Sequence, residues 1–86
     1  LDRSLLDILC CPVTRTPLEL LPERELHVLN ERIAEQRIRN RDDAIVTDPL
    51  EEALVTRAGK LVYPVRDGIP VLLEEQAMSL AQLEGP

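Results

Sequence analysis

The stretch Gly59-Lys60-Leu61-Val62-Tyr63-Pro64-Val65-Arg66-Asp67-Gly68-Ile69-Pro70-Val71-Leu72-Leu73 limits what this chain can fold into more than any other. Residues 61–65 are a short apolar run rich in strand formers. Arg66-Asp67-Gly68 is a turn signal, because Asp closes local turns and Gly accepts positive φ. Residues 69–73 are a second apolar run. The pattern predicts a β-hairpin with well-marked ends. Each run carries a proline, Pro64 and Pro70, and a proline cannot donate to a sheet ladder. Each strand should therefore have an edge or an end where pairing is incomplete. An apolar hairpin with an unpaired edge is a place where another chain can add a strand.

Size decides how much such a hairpin must be supported. A chain of 86 residues is one domain, and it buries only roughly 60–65% of its unfolded surface. It has no Trp or Phe and a single Tyr, so the core must come from Leu, Ile, Val and Ala. Small scaffolds of this kind usually add a disulfide, a metal or a partner. Acidic residues outnumber basic ones by 16 to 10, a net charge of -6, which argues against direct nucleic-acid binding. The local exception is Arg32, Arg37, Arg39 and Arg41. These read first as a solvated helix face balanced by Glu31, Glu35, Asp42 and Asp43. The sharper alternative is contact with an acidic partner surface, or with an RNA held by a partner. No apolar run approaches the ~20 residues of a membrane span. Residues 5–9 are too short and too acidic for a signal core, so a reducing cytoplasm with two free thiols is the expectation.

Along the chain, residues 4–9 read as a short helix stopped by Pro12, and 14–17 as a turn. Residues 18–21 read as a strand pairing downstream, ended by Pro22. Residues 23–41 are the longest helical candidate, with Leu26, Leu29, Ile33, Ala34 and Ile38 as its stripe. Acids crowd its first turn and arginines its last. Residues 44–46 are a short strand or extended loop, 49–52 one helical turn, 53–56 a strand, 57–60 a tight turn, and 74–83 a C-terminal helix. The class is α+β with a small antiparallel sheet of three to four strands.

Candidate chemistry is sparse. Cys10-Cys11-Pro12-Val13-Thr14 invites a metal reading, but a structural zinc needs four ligands, usually two Cys-x-x-Cys pairs. Here Cys11 is followed three residues on by Thr14, and no second pair exists. Small buried or half-buried thiols are the better reading. A nucleophilic cysteine would need a base beside it, and nothing in the sequence places His27 there. Asp42-Asp43, Glu51-Glu52 and Glu74-Glu75 read as surface charge, and His27 as a surface helix residue. No cofactor motif is visible.

Two motifs converge. One is Leu6-x-x-Leu9-x-Cys11-Pro12-Val13-Thr14-x-x-Pro17-Leu18; the other is the closing run from Leu61 to Leu73. Together they resemble the family of small zinc-ribbon-like methyltransferase activator subunits and its short bacterial relatives. The resemblance implies a compact zinc-ribbon-like α/β domain with a helical insertion, here residues 23–52 within a single domain 1–86. It also implies a non-catalytic module that activates a class I, S-adenosylmethionine-dependent methyltransferase acting on tRNA, rRNA or a translation factor, by strand addition and by covering apolar surface. On that alignment the four ligand positions are Cys11, Thr14, Thr56 and Gly59. Hydrogen bonding by Thr14 and Thr56, with packing around Cys11, should then replace the metal. The partner-binding residues would be Tyr63, Pro64, Val65, Asp67, Gly68, Ile69, Pro70 and Val71. Asp67 and Gly68 would hold the turn; Val65, Ile69 and Val71 would supply apolar contacts or core. The partner would be that methyltransferase in a heterodimer or, alternatively, a second copy paired through a sheet edge, without nucleic acid or membrane. A thiol catalyst at Cys10 or Cys11 is the third class.

Overall fold

A computed structural model describes residues 10–83; the short helix expected over residues 4–9 lies outside them. The elements are β1 (Glu19–Leu20), α1 (Glu23–Ala34), β2 (Glu52–Thr56), β3 (Leu61–Arg66), β4 (Ile69–Pro70) and β5 (Met78–Ser79), with 3-10 turns at Glu74–Gln76 and Leu80–Leu83. The fold is α+β, as the sequence predicts. All five strands form one antiparallel sheet in the order β1-β2-β3-β4, with β5 also pairing with β3.

Pro64 explains how β4 and β5 divide one edge of β3. Ala53 directs its carbonyl to the N–H of Leu21 on the β1 side, so Pro64 opposite it turns its backbone away from β2. The Pro64 carbonyl accepts the Val71 N–H at 2.9 Å. Its missing N–H falls between β4, which pairs with Val65 and Arg66, and β5, which pairs with Leu61 and Val62. The absent donor thus lies where no ladder bond is needed. Asp67 (φ 54) and Gly68 (φ 77) are both left-handed, which is the type I′ hairpin turn that Asp-Gly favours.

The sheet is covered on both faces, which is why residues 53–55 of β2 and 61–65 of β3 are apolar without interruption rather than alternating. Ala53, Val55, Val62 and Met78 pack with Leu29 and Ile33 of α1 and with Ile38, Leu50 and Leu80. Leu54, Leu61, Tyr63 and Val65 pack on the other face with Cys11, Leu18 and Ala77, flanked by Leu20 and Leu72. Twelve residues of helix are marginal alone in water; burial of Leu29 and Ile33, at about 1.5–3 kcal/mol each, holds α1 in place. The Asn30 amide fixes the far side of the helix: Nδ2 donates to the Leu50 carbonyl and Oδ1 accepts the Leu50 N–H, both at 2.8 Å.

Three local expectations are corrected. The helix ends at Ala34 rather than at residue 41. Gln36 takes a left-handed φ of 59°, its N–H bonds to Ile33 O, and Arg37 N–H bonds to Arg32 O. That is a Schellman ending built without glycine. Ile38 is fully buried but reaches the core from extended chain, where Val46 N–H bonds to its carbonyl. The arginines beyond the helix pair with Glu35, Asp43 and Glu74 at the surface, contacts worth ~0–1 kcal/mol each. Residues 49–52 form no helical turn, since β2 already begins at Glu52. The C-terminal helix expected over 74–83 is absent. Met78 instead pairs with Val62, Leu80 N–H bonds to Lys60 O, and Ala81 is exposed. Pairing the free half of β3 outweighs a ten-residue helix.

Because Ile38 is a core residue outside any helix, Ile38→Ala is expected to destabilise the protein by about 2–5 kcal/mol. Ile45→Ala, at an exposed position, is expected to stay within ~0.5 kcal/mol. Chemical denaturation of both variants checks the contrast.

Candidate functional site

The four positions aligned with metal ligands meet at one corner of the sheet. The first loop, from Cys11 through Thr14, is closed by Arg15 N–H to Cys11 O at 2.7 Å and Cys11 N–H to Thr16 O at 2.9 Å. The second is the β2–β3 turn from Thr56 through Gly59. Thr14 N–H reaches Cys11 Sγ at 3.5 Å, and Gly59 N–H reaches Thr56 Oγ1 at 3.4 Å. The loops are joined by hydroxyls: Thr14 Oγ1 bonds to Thr16 Oγ1 at 2.7 Å, and Thr16 Oγ1 bonds to Thr56 Oγ1.

Behind them, Cys11 Sγ and Tyr63 Oη lie 2.9 Å apart, both fully buried. Burial pushes the Cys11 thiol up, but hydrogen bonds from the Thr14 side chain, from Tyr63 and from the backbone N–H groups of Thr14 and Val13 outweigh it and leave the thiol below its ordinary value. Burial first, and the Cys11 bond second, push Tyr63 well above its ordinary 10.0. Both directions agree with a phenol O–H donating to sulfur, which favours a protonated tyrosine and an ionised thiol.

This donor set does not fit a zinc ion. One thiol is present, two positions carry hydroxyls, and Gly59 has no side chain. A Cβ there would come 2.7 Å from both Cγ2 and Oγ1 of Thr14, so the space a fourth ligand would use is filled. Among the described residues no group of three or more His, Cys, Asp or Glu side chains gathers to hold a metal. His27 is exposed on α1, where it pairs with Glu31 at 2.8 Å and with neither cysteine.

The eight residues assigned to partner binding divide by burial. Tyr63, Pro64 and Val65 lie in the central strand and are buried. Asp67, Gly68 and Ile69 are exposed, and Pro70 and Val71 are half-buried. Ile69 is 66% exposed and Leu73 is 52% exposed. They flank Val71 at every second position, while Leu72 between them packs on the core. Leu73 and Thr16 were not singled out from the sequence. The signal for both was spacing by two, Ile69/Val71/Leu73 and Thr14/Thr16. Strand addition at the hairpin is also narrower than expected. β3 is central, and Pro70, paired with Val65, turns its backbone outward with a carbonyl and no N–H.

A family model described as Trm112p-like protein matches residues 2–68. The chain belongs to the Trm112p-like family. It is 39% identical over 79 residues to a UPF0434 protein of Rhodopseudomonas palustris strain TIE-1, covering 92% of this chain and 80% of that one. It is 37% identical over 84 residues to a UPF0434 protein of Hydrogenovibrio crunogenus, covering 98% and 85%. The solution NMR structure of a Xylella fastidiosa protein matches with a TM-score of 0.77 at 43% identity, covering 96% of this chain and 86% of that one. Membership in the Trm112p-like family marks this chain as a small partner-binding module. No helix among the described residues is long and apolar enough to cross a membrane.

Two measurements follow from the corner. Cys10 is exposed and Cys11 buried, so Ellman's reagent is expected to modify Cys10 rapidly and Cys11 only on unfolding. Tyr63 is the sole tyrosine, so absorbance at 295 nm reads it directly. Its raised pKa means that its stabilising contribution is full below pH 10.0 and is lost as pH climbs toward the folded value. Cys11, lowered, contributes in the opposite sense: its share is present above 9.0 and is lost as pH falls through the folded value. The phenolate should therefore appear above the ordinary range and together with loss of the fold.

Proposed function

We propose that this protein is a non-catalytic cytoplasmic module that binds and stabilises or activates a partner enzyme, a class I S-adenosylmethionine-dependent methyltransferase acting on tRNA, rRNA or a translation factor. The observation that carries the docking site is the row Ile69, Val71, Leu73. Its two ends are the most exposed large apolar side chains among the described residues, in a domain whose sheet is otherwise covered on both faces. Exposed branched apolar side chains in a row are what a partner's surface covers. The identity of the partner rests on the resemblance of the Cys-Pro loop and closing hairpin to the methyltransferase activators, supported by family membership.

In this reading Asp67 and Gly68 fix the turn, Ile69, Val71 and Leu73 touch the partner, and Pro70 allows an accepting hydrogen bond but no donating one. Tyr63, Pro64 and Val65 hold the row from beneath. Residues 23–52 are the insertion, with α1 covering one face of the sheet.

The test is co-expression with class I methyltransferases from the same genome, followed by purification of complexes. The expected result is a one-to-one heterodimer that Ile69→Asp and Leu73→Asp each weaken at least tenfold, with the thermal midpoint of the free variants within about 4 °C of the parent, because surface changes cost within ~0.5 kcal/mol. A tight homodimer broken by Ile69→Asp, with no methyltransferase bound, would overturn the heterodimer and favour self-association.

A further inference from the structure

The two corner loops are built alike. In each, the first side chain, Cys11 or Thr56, accepts the backbone N–H three residues on. In each, the next residue is left-handed, Arg15 with φ 59° and Lys60 with φ 56°. Loops of this kind aim two side chains three residues apart at one point, the arrangement that tetrahedral metal sites use in pairs. Here the four residues cannot serve an ion, yet the loops have not opened. Thr14 turns its methyl and hydroxyl onto Gly59, and Thr16, from outside the ligand spacing, inserts its hydroxyl between Thr14 and Thr56.

We infer that Thr14, Thr16, Thr56 and Gly59 act as one metal-independent clasp. The three-hydroxyl chain does the mechanical work of an ion, tying the first loop to the β2–β3 turn. The absent side chain of Gly59 and the bulk of Thr14 are a matched pair filling the space between the loops. Gly59 is not in the left-handed region, so room and not backbone conformation requires glycine there. Thr56 is the one buried polar residue of the described core besides Cys11 and Tyr63, and the clasp satisfies it. Independent packing at each position would give independent costs; a clasp gives coupled ones.

A double-mutant cycle followed by thermal unfolding separates the two. Gly59→Ala places a methyl against Thr14 and should lower the midpoint by several degrees (about 6–11 °C per tenfold loss in the folding equilibrium of a domain this size). Thr14→Ala removes both atoms at 2.7 Å, so Gly59→Ala should cost little further when it is made in the Thr14→Ala background. If Gly59→Ala does not fold, a folded double variant shows the same coupling. Thr16→Val keeps the bulk but cuts the hydroxyl chain, and should lower the midpoint by a comparable amount. Equimolar zinc or excess chelator should leave the parent's midpoint unchanged. Additive costs at positions 14 and 59, a double variant that fails to fold, a neutral Thr16→Val, or a parent midpoint that moves with zinc or chelator would each overturn the clasp.

Discussion

Cys11 and Tyr63 are 52 residues apart, and the bond between thiol and phenol ties the first loop to the middle of the sheet. A buried phenol needs a partner, and a buried sulfur is a poor place to leave one unmet. Each resolves the other's need, and no described buried side-chain polar atom is left without a hydrogen bond. The contact also fixes depth: with Tyr63 drawn to Cys11, its neighbours Leu54, Leu61 and Val65 close around Leu18 and Ala77. The hydroxyl chain at the rim seals the same corner from outside.

With one face closed by this corner and the other by α1, β2 and β3 are buried at every position but Glu52 and Arg66. Unspent apolar surface is pushed to where the sheet runs out, beyond the type I′ turn. The proline at position 70 keeps that edge from becoming a general template for strand pairing, so recognition there falls to side chains. A domain of this size with an aliphatic core gains from having such a row covered, and coupling of stability to partner binding follows from mass action.

The elements that local chemistry decides were legible in the sequence. The Asp-Gly turn, the tight turn before Leu61, the strand at β2 and the start of α1 after Pro22 all depend on residues within a few positions of themselves. The elements that tertiary partners decide were not. Nothing local marks Gln36 as a left-handed cap, and Ile38 extends the apolar stripe past the true helix end because the core wants an isoleucine there from a different direction. Residues 77–80 look helical alone, yet Met78 has a vacant half of β3 to pair with. Tyr63 reads as a partner-binding residue through the hairpin motif; the structure buries it at the centre of a core, with its phenol bonded to Cys11. The four corner positions were found through the resemblance, whereas Thr16, off the ligand spacing, needed the structure.

The central claim is that hydrogen bonds and close packing, not an ion, hold the two loops together. Native-state hydrogen exchange of the amides of Cys11, Thr14, Arg15 and Gly59, measured once with excess chelator and once with zinc, tests it most directly. Slow exchange is expected at these amides, close to that of the β2–β3 ladder and identical in the two conditions. Fast exchange in chelator that becomes slow only when zinc is added would contradict it.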